Sequence, residues 1–406
     1  MTSHPFDTAP AGAACPFMPV FGPPQVMFVR GQGTELWDVN GKRYLDFLCG
    51  LAVTSLGHSH PAITAAITAQ AERLMHVSNF FANDAAATAA VAVRDLLAEA
   101  TGDTGQVFFC NSGAEANEAA LKLARKFGGR GRHVVVSAFG SFHGRTLATL
   151  AATGQPAKHE PFSPMPDGFR HVVYGDLAAL EAAIDPSVAA VLIETVQGEG
   201  GVVPADASYL RGIRALCDER GMLMMIDEVQ TGFGRTGQWF GFQHSGVVPD
   251  VVTMAKAMGN GFPVGAMWAR NDIAAAFVPG DHGSTYSGTA IATAVVNAVI
   301  TEMRRIDAPA LAQERGNYLR ERLGAIPGVR SVRGQGLLLA AELGEGHDAK
   351  AVYVELLARG LVTNPVTATA LRLAPPITVS EEQIDEAVEL IAAVVGELVP
   401  TAGATG

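Results

Sequence analysis

The sequence is poor in cysteine and in lysine, and it contains no long apolar run. Four cysteines occur among 406 residues without a CxxC pair, so we expect reduced core residues and no metal site. No apolar run approaches the roughly 20 residues that cross a bilayer, and residues 1–10 lack the pattern of a signal peptide. The formal net charge of −11 argues against nucleic acid, which binds basic surfaces. We therefore expect a cytoplasmic protein with neither membrane nor nucleic-acid partners.

Only six of the 29 basic residues are lysines, so a chemically reactive lysine has few candidates. Five of the six have ordinary explanations in predicted turns, loops and solvated helix faces. The exception is Lys256, which lies between an apolar run and a glycine-rich turn, an unusual setting for a residue that normally remains solvated. The five ordinary lysines are Lys42, Lys122, Lys126, Lys158 and Lys350.

The middle of the chain predicts an α/β fold. Hydrophobic residues make up 48% and charged residues 17% of the sequence, a globular balance. Seven short apolar runs, most of them separated by helix-length segments, predict a mostly parallel seven-stranded sheet covered on both faces. The last gap is short and suits a different connection, such as an antiparallel one. The runs are Val107–Cys110, His133–Ala138, His171–Tyr174, Ala189–Ile193, Met222–Ile226, Val251–Met254 and Val264–Trp268.

The two ends of the chain predict smaller elements. An Asn40-Gly41 turn indicates a β-hairpin near the N-terminus. Residues 290–323 predict one long helix, and a final helix over Ser380–Leu398 begins with a capping box, followed by a frayed tail over 399–406.

These patterns suggest three regions. We expect an N-terminal segment over 1–60 that is part of a small domain. A large domain is expected over 61–300, and a C-terminal small α+β domain over 301–406. In a doubly wound sheet, ligands bind beyond the carboxyl ends of the strands, so the residues that follow each apolar run of the large domain are candidates for a site.

The first candidate follows the run that ends at Cys110. Residues Asn111–Asn117 join a turn of small residues to a helix start, whose free N–H groups can bind an anion together with the Ser112 hydroxyl. An ordinary helix-capping turn is the alternative interpretation. The GxxxxGK[ST] pattern of a nucleotide P-loop does not occur in the sequence.

Two further runs end beside charged residues. Asp227 ends an apolar strand, and a buried carboxylate needs a partner, which a protonated pyridine nitrogen would supply. A metal site or a helix cap would also explain this aspartate. Near such a ring, a partly desolvated Lys256 can form an imine and later move protons.

Two loops add polar and aromatic groups to the same predicted edge. Phe142 could stack on a flat ring and Arg145 could bind a carboxylate through two hydrogen bonds, although a surface loop is an equally plausible interpretation. Glu194 ends another apolar run and is followed by the glycine-rich Gln197–Gly201. Five such features at one sheet edge are stronger together than any one alone.

Taken together, these residues resemble the class III (fold type I) pyridoxal-phosphate (PLP) aminotransferases over roughly residues 15–398. The most specific stretches are Asp227–Gly237, with the sequence DEVQTGFGRTG, and Ala255–Gly265. The resemblance implies PLP as cofactor, a fold type I architecture and a homodimer in which Thr285 reaches the phosphate bound by the partner.

The resemblance also assigns roles. Lys256 is implied to hold the cofactor as a Schiff base and Asp227 to bind the pyridine nitrogen, and these two are the implied catalytic residues. Asp227 and Lys256 are joined in the implied cofactor site by Ser112, Gly113, Ala114, Phe142, Glu228, Val229, Gln230 and Thr285.

Within the class, the chain is especially similar to the acetylornithine aminotransferases. The similarity implies transfer of the ω-amino group of N-acetylornithine to 2-oxoglutarate, the aminotransfer step of arginine biosynthesis. Arg145 would bind the distal carboxylate, Arg372 the carboxylate beside the reacting amine, and Glu199 would cover Arg372 while an ω-amine reacts. The implied substrate-binding residues are Asn79, Arg145, Glu194, Glu199, Ser284 and Arg372.

Three alternatives remain at this stage. The chain could be another ω-aminotransferase that uses ornithine, succinylornithine or 4-aminobutyrate. It could be an aminomutase of the same fold, which would need no 2-oxoglutarate. A non-catalytic PLP-binding dimer is the third alternative, but loss of Lys256 or Asp227 would be its expected signature, and both residues are present.

Overall fold

The computed structural model describes residues 18–22 and 24–398. Cys15 and the predicted tail over 399–406 lie outside the described residues. The strands, numbered in chain order, are β1 Phe28–Gln32, β2 Glu35–Asp38, β3 Arg43–Asp46, β4 Gly105–Cys110, β5 Val134–Ala138, β6 Phe169–Val172, β7 Val188–Glu194, β8 Val196–Gln197, β9 Val203–Pro204, β10 Leu223–Asp227, β11 Val251–Met254, β12 Gly265–Arg270, β13 Val329–Gln335, β14 Leu338–Leu343, β15 Leu361–Val362, β16 Asn364–Pro365 and β17 Ala370–Leu373.

Thirteen α-helices and three short 3₁₀ turns connect these strands within the described residues. The α-helices are α1 Cys49–Ala52, α2 Pro61–Arg73, α3 Asp84–Thr101, α4 Gly113–Gly128, α5 Leu147–Ala152, α6 Pro156–His159, α7 Leu177–Ala183, α8 Ala207–Arg220, α9 Asn271–Ala274, α10 Ala290–Arg305, α11 Ala308–Gly324, α12 Ala349–Arg359 and α13 Glu381–Glu397. No described helix is long and apolar enough to cross a membrane.

The predicted seven-stranded sheet is confirmed, and each of the seven apolar runs overlaps a strand. Its order is β4-β12-β11-β10-β7-β5-β6. Strand β12 runs antiparallel to both of its neighbours, β11 and β4, whereas the other pairs are parallel. The short final gap forces this reversal, because a parallel crossover needs a connection of a dozen or more residues. Helices cover both faces, which explains why the central strands are mostly apolar.

A smaller antiparallel sheet follows near the C-terminus, in the order β13-β14-β17-β16. The N-terminal hairpin is confirmed as β2 and β3, and β3 pairs in parallel with β15, more than 300 residues later in the chain. The N-terminal segment and the C-terminal region therefore share one sheet. The division into 1–60, 61–300 and 301–406 stays a prediction.

The single long helix predicted over 290–323 is wrong. The structure has two helices there, α10 and α11, separated at Ile306 and Asp307. Asp307 adopts a left-handed conformation with φ 48°, which ends regular helical hydrogen bonding. Pro309 then occupies the first turn of α11, where its missing N–H is not needed.

Two smaller predictions are confirmed. The last helix, α13, begins with the expected capping box, in which Ser380 Oγ accepts from Gln383 N and Gln383 Oε1 accepts from Ser380 N, both at 3.2 Å. The described cysteines, Cys49, Cys110 and Cys217, are buried and free of disulfides. Burial raises the pKa of Cys110 and of Cys217 to about 12, so both remain protonated thiols at neutral pH.

Candidate active site

A cavity of about 400 Å³ opens beyond the carboxyl ends of the central strands. The loops that follow β4, β5, β7, β10 and β11 all contribute to its wall, so the structure brings together the five features singled out in the sequence. The predicted residues that line the cavity are Ser112, Gly113, Ala114, Phe142, Arg145, Glu194, Glu199, Asp227, Val229, Gln230 and Lys256.

The carboxylate of Asp227 lies at the base of the cavity and is 4% exposed. Its Oδ2 accepts hydrogen bonds from Asn117 Nδ2 and from His143 Nδ1, each at 2.8 Å, and its Oδ1 accepts from Val229 N at 3.0 Å. A carboxylate can accept about four hydrogen bonds, so one position on Oδ1 remains. Because Asp227 lines the cavity, that position is available to a cationic N–H donor inside it.

Lys256 follows β11 directly and lies in a strained backbone conformation. Its φ is 46°, in the left-handed region that side-chain-bearing residues rarely adopt. Burial lowers the pKa of Lys256, and the nearby Arg372 guanidinium lowers it further, although Glu199 and Asp227 oppose the shift. A lowered pKa favours the neutral amine, which is the nucleophilic form.

The N-terminus of α4 forms a cradle for an anion. Ser112 caps this helix through its hydroxyl, which accepts from Glu115 N at 3.2 Å. The backbone N–H groups of the first turn, at Gly113 and Ala114, face the cavity wall without a helical partner. A Cβ atom at Gly113 would approach the Val229 side chain to 2.8 Å, so only glycine fits this close contact.

Phe142 and Arg145 form one wall. Phe142 is half-buried, and its backbone N donates to Glu194 Oε2 at 3.2 Å. The Arg145 guanidinium carbon lies 5.4 Å from the Phe142 ring centroid. Arg145 is exposed, and its side chain makes neither a hydrogen bond nor an ion pair with any residue of 18–22 and 24–398. It is therefore free to bind an incoming anion.

Arg372, at the centre of β17, is 1% exposed and forms an ion pair with Glu199. The distance from Arg372 Nη1 to Glu199 Oε1 is 2.6 Å, and the same nitrogen donates to Gly198 O at 3.2 Å. Burial alone would raise the pKa of Glu199, but Arg372 and Lys256 together hold this pKa below its usual value. Glu199 is therefore ionised at neutral pH, and its side chain is 32% exposed.

Two other buried carboxylates differ in position. Glu194 lines the cavity, and burial next to Asp227 raises its pKa well above the usual value, which favours the protonated form. Glu228 does not line the cavity. It accepts hydrogen bonds from Gly241 N at 2.9 Å and from Phe242 N at 2.8 Å, and burial raises its pKa to about 7. The structure thus directs Glu228 toward the core.

Besides Glu228 and Arg372, three predicted residues lie outside the lining of this cavity. Asn79 is exposed and its Nδ2 donates to Ser284 O at 3.0 Å. Ser284 Oγ accepts from Asn111 Nδ2 at 3.2 Å, and Thr285 beside it is exposed. The three therefore cluster at the surface next to the turn before α4, and the single chain does not bring them to the cavity.

Two residues and one backbone feature of the site were not predicted from the sequence. Asn117 and His143 were not among the predicted site residues, yet both donate to Asp227. Only their positions inside the singled-out stretches could have suggested this role. The short element α1, Cys49–Ala52, is a left-handed turn in which all four φ angles lie between 53° and 72°, and only one of the four residues is glycine. No sequence signal predicted this turn, whose Leu51 O accepts from Gln230 Nε2 at 3.3 Å.

Residues 19–395 match the sequence model of the family described as aminotransferase class-III. The acetylornithine aminotransferase of Myxococcus xanthus is 46% identical over 374 residues, which cover 89% of this chain and 91% of that protein. The acetylornithine aminotransferase of Caldanaerobacter subterraneus subsp. tengcongensis is 44% identical over 382 residues, which cover 92% of this chain and 95% of that protein.

Solved structures give the same picture of the fold. The ornithine aminotransferase of Toxoplasma gondii superposes with a TM-score of 0.86 and 33% identity, covering 92% of this chain and 91% of that one. The N-acetylornithine aminotransferase of Stenotrophomonas maltophilia gives a TM-score of 0.81 and 32% identity, with 93% and 97% covered.

Proposed function

Because the chain belongs to the class-III aminotransferases, we propose that it transfers the ω-amino group of N-acetylornithine to 2-oxoglutarate. The products would be N-acetylglutamate semialdehyde and glutamate, the aminotransfer step of arginine biosynthesis. Enzymes of this family are PLP-dependent transaminases, so the cofactor and the reaction class follow from membership. The identity of the amino donor is the part that is proposed.

The residues of the cavity fit PLP. The helix N-terminus at Gly113 and Ala114 would hold the phosphate, and the remaining acceptor position of Asp227 would hold the protonated ring nitrogen. Phe142 offers a flat ring against which the pyridine could stack, and Lys256 provides a partly desolvated amine. The cavity of about 400 Å³ is large enough for the cofactor with a small substrate.

When bound, PLP supplies a carbonyl carbon that exchanges nitrogen and a ring that withdraws electrons. Lys256 Nζ would take the proton from the donor carbon that carries the reacting amine. The same amine would then return a proton to the cofactor carbon that carries the transferred nitrogen. The Asp227 carboxylate, fixed by Asn117 and His143, keeps the ring nitrogen protonated. Glu194 is buried beside Phe142 in the wall of this space.

The observation that carries the assignment of an ω-amine donor is the Glu199–Arg372 ion pair, and the similarity to acetylornithine aminotransferases supports N-acetylornithine as that donor. N-Acetylornithine has a neutral methylene next to its reacting amine, whereas glutamate has a carboxylate there. Glu199 neutralises the buried Arg372 while the first substrate is bound, and glutamate or 2-oxoglutarate can replace Glu199 as the partner. Arg145 has no ion partner of its own within the described ranges and would bind the distal carboxylate of both substrates.

The proposal includes a homodimer in which Thr285 reaches the phosphate bound by the partner. Large apolar side chains at the surface near Ser284 support this assembly: Phe80 is 92% exposed, Phe81 is 67% exposed and Tyr286 is 59% exposed. An exposed apolar patch of this kind is typical of a protein interface. A cytoplasmic location stays a prediction.

The test is single-turnover mixing of the PLP-loaded enzyme with one amine at a time, followed by cofactor absorbance. We expect N-acetylornithine and glutamate to convert the cofactor to its amine form much faster than ornithine or 4-aminobutyrate does. If ornithine or 4-aminobutyrate reacts fastest, the family holds and the donor assignment is wrong. If no external 2-oxoglutarate is needed for complete turnover, the chain is an aminomutase instead.

A further inference from the structure

Lys158 lies next to the proposed substrate-binding wall, although its position in a predicted loop did not distinguish it in the sequence. It belongs to the short helix α6, which follows the turn Gly154-Gln155. Its Nζ is 6.0 Å from the Phe142 ring centroid, the same ring over which the Arg145 guanidinium lies at 5.4 Å. One aromatic side chain therefore carries two cationic neighbours. Lys158 lies just beyond the residues that line the cavity.

The backbone and side chains around Lys158 hold it in this position. Its Nζ donates to Gln155 Oε1, and Gln155 Nε2 donates in turn to Ser141 O at 2.9 Å. Ser141 is buried at the start of the loop that carries Phe142 and Arg145. The amide of Gln155 thus ties the lysine to the loop that carries the proposed substrate-binding arginine.

Neither cation pairs with a carboxylate among the described residues. In the described part of the chain, the only hydrogen-bond partner of Lys158 is the neutral Gln155, and Arg145 has no polar partner. The carboxylate whose charge acts on Lys158 is that of Glu199, whose Oε1 already pairs with Arg372 at 2.6 Å. Burial lowers the pKa of Lys158 and the charge of Arg145 lowers it further, while Glu199 opposes the shift. Two neighbouring cations repel each other unless an anion binds between them.

We propose that Lys158 and Arg145 together bind the distal carboxylate of the substrates, with Lys158 as a second specificity-determining residue. This inference rests on the proposed function, because it takes the substrate to be an amino or keto acid with a carboxylate remote from the reacting carbon. Lys158 contributes a charge-assisted hydrogen bond from outside the cavity, and Arg145 contributes its planar fork from the wall. Amines without a carboxylate gain nothing from Lys158.

The test compares Lys158→Met, which removes the charge at similar volume, with Lys158→Arg, which retains the charge. Lys350→Met is the matched control, because Lys350 is exposed on α12, remote from the cavity. We expect Lys158→Met to raise the KM for N-acetylornithine and for 2-oxoglutarate about 10-fold, with kcat within about twofold of wild type. Lys158→Arg should recover most of the loss, and Lys350→Met should change neither constant.

A donor without the carboxylate distinguishes the loss of a carboxylate contact from a general disturbance of the fold. N-Acetylputrescine equals N-acetylornithine without its carboxylate, and its KM should be the same in wild type and Lys158→Met. An equal rise in KM for both donors would mean that the variant has disturbed the fold, and it would overturn the proposal. An unchanged KM for N-acetylornithine would overturn it as well.

An equilibrium measurement keeps this inference distinct from the proposed function. Glutarate is a dicarboxylate that cannot react, and its Kd can be measured by calorimetry whichever amine the enzyme prefers. We expect Lys158→Met to raise the Kd for glutarate about 10-fold and Lys158→Arg to restore most of the affinity. If wild type does not turn over N-acetylornithine but the glutarate result holds, only the donor assignment fails. If glutarate binds equally to all variants, Lys158 does not bind carboxylates.

Discussion

The two ends of the cavity differ in how their charges are satisfied. At its floor, formed by Asp227 with Asn117 and His143, the carboxylate is 4% exposed and receives three hydrogen bonds from fixed donors. At its rim, formed by Arg145, Lys158 and Glu199, one cation has no polar partner among the described residues and the other has only a neutral amide. The floor carboxylate is thus held by fixed donors before a substrate arrives, whereas the two rim cations would receive their anion from the substrate.

This contrast separates two kinds of function. A fixed, desolvated network can stabilise the same charge in every turnover, whatever donor is present. Groups without committed partners can instead bind different substrates in the two half-reactions. Substitutions at the floor, and at Lys256 above it, should therefore lower the reaction rate equally with all substrates. Changes at the rim should alter the preference between substrates.

The largest effect is expected at Lys256. Lys256→Ala removes both the amine that binds the cofactor and the base that moves the proton, so kcat should fall by at least about 10⁴-fold with every donor. Borohydride reduction followed by peptide mass mapping should find the cofactor on Lys256 in wild type and on no lysine in the variant. Attachment to any of the other five lysines would contradict the assignment.

Asp227→Asn should have the next largest effect. The amide keeps the shape of the side chain but cannot hold a proton on the ring nitrogen by its charge, so we expect kcat to fall about 10³-fold. The loss should be equal for N-acetylornithine and glutamate in separate single-turnover half-reactions. A loss confined to one donor would place Asp227 with the substrate-selective groups and remove the contrast between floor and rim.

Asn117→Ala tests whether the hydrogen bonds to Asp227 matter. The amide donates to Asp227 Oδ2 and to His143 O, both at 2.8 Å, and accepts from Thr253 Oγ1 at 2.7 Å. Losing one donor to a buried carboxylate costs about 1.5–3 kcal/mol, so we expect kcat to fall about 10-fold or more for both donors. Thermal unfolding should also shift to lower temperature. Unchanged kcat in a folded variant would show that two donors suffice.

Much of the central sheet could be predicted because most of its strands are nearly continuous apolar runs. In a sheet covered on both faces, the residues inside a strand have no polar option, so Leu223–Asp227 and Val251–Met254 are recognisable from composition alone. The location of the cavity followed from the same runs, because ligands bind where parallel strands end. Lys256 was identified because lysine is rare in this sequence and unusual in that setting.

Other features depend on contacts that no local pattern records. The break at Asp307 interrupts a stretch whose apolar spacing suits one continuous helix, and a left-handed aspartate has no reliable signal. The turn over Cys49–Ala52 places three side-chain-bearing residues at positive φ, which costs about 1–2 kcal/mol each and must be offset by tertiary contacts. Asp46 Oδ1 provides one such contact by accepting from Leu48 N and Cys49 N.

The partners of Asp227 were missed for the same reason. Asn117 is 110 residues away from it in sequence and His143 is 84 away, so only the packing of α4 and the loop after β5 brings them together. The position of Lys158 over the Phe142 ring likewise depends on the path of α6. Sequence patterns indicate which strand ends contribute to a site, and tertiary packing decides which neighbours complete it.

The smallest effect on rate, and the sharpest on selectivity, is expected for Glu199→Gln. The amide can still donate or accept a hydrogen bond but leaves the buried Arg372 without a counter-charge when N-acetylornithine is bound, so that half-reaction should slow about 10-fold. The glutamate half-reaction should be unchanged or faster, because the substrate carboxylate itself pairs with Arg372. In wild type, the pKa of Glu199 is held below its usual value. The ion pair is therefore lost only as pH falls through that lowered pKa, and the preference between the two donors should be constant at neutral pH.

Glu199→Asp keeps the negative charge and serves as the control for Glu199→Gln. Equal slowing of both half-reactions by Glu199→Gln would mean that this residue belongs functionally with the floor, and the exchange of partners at Arg372 would have to be abandoned.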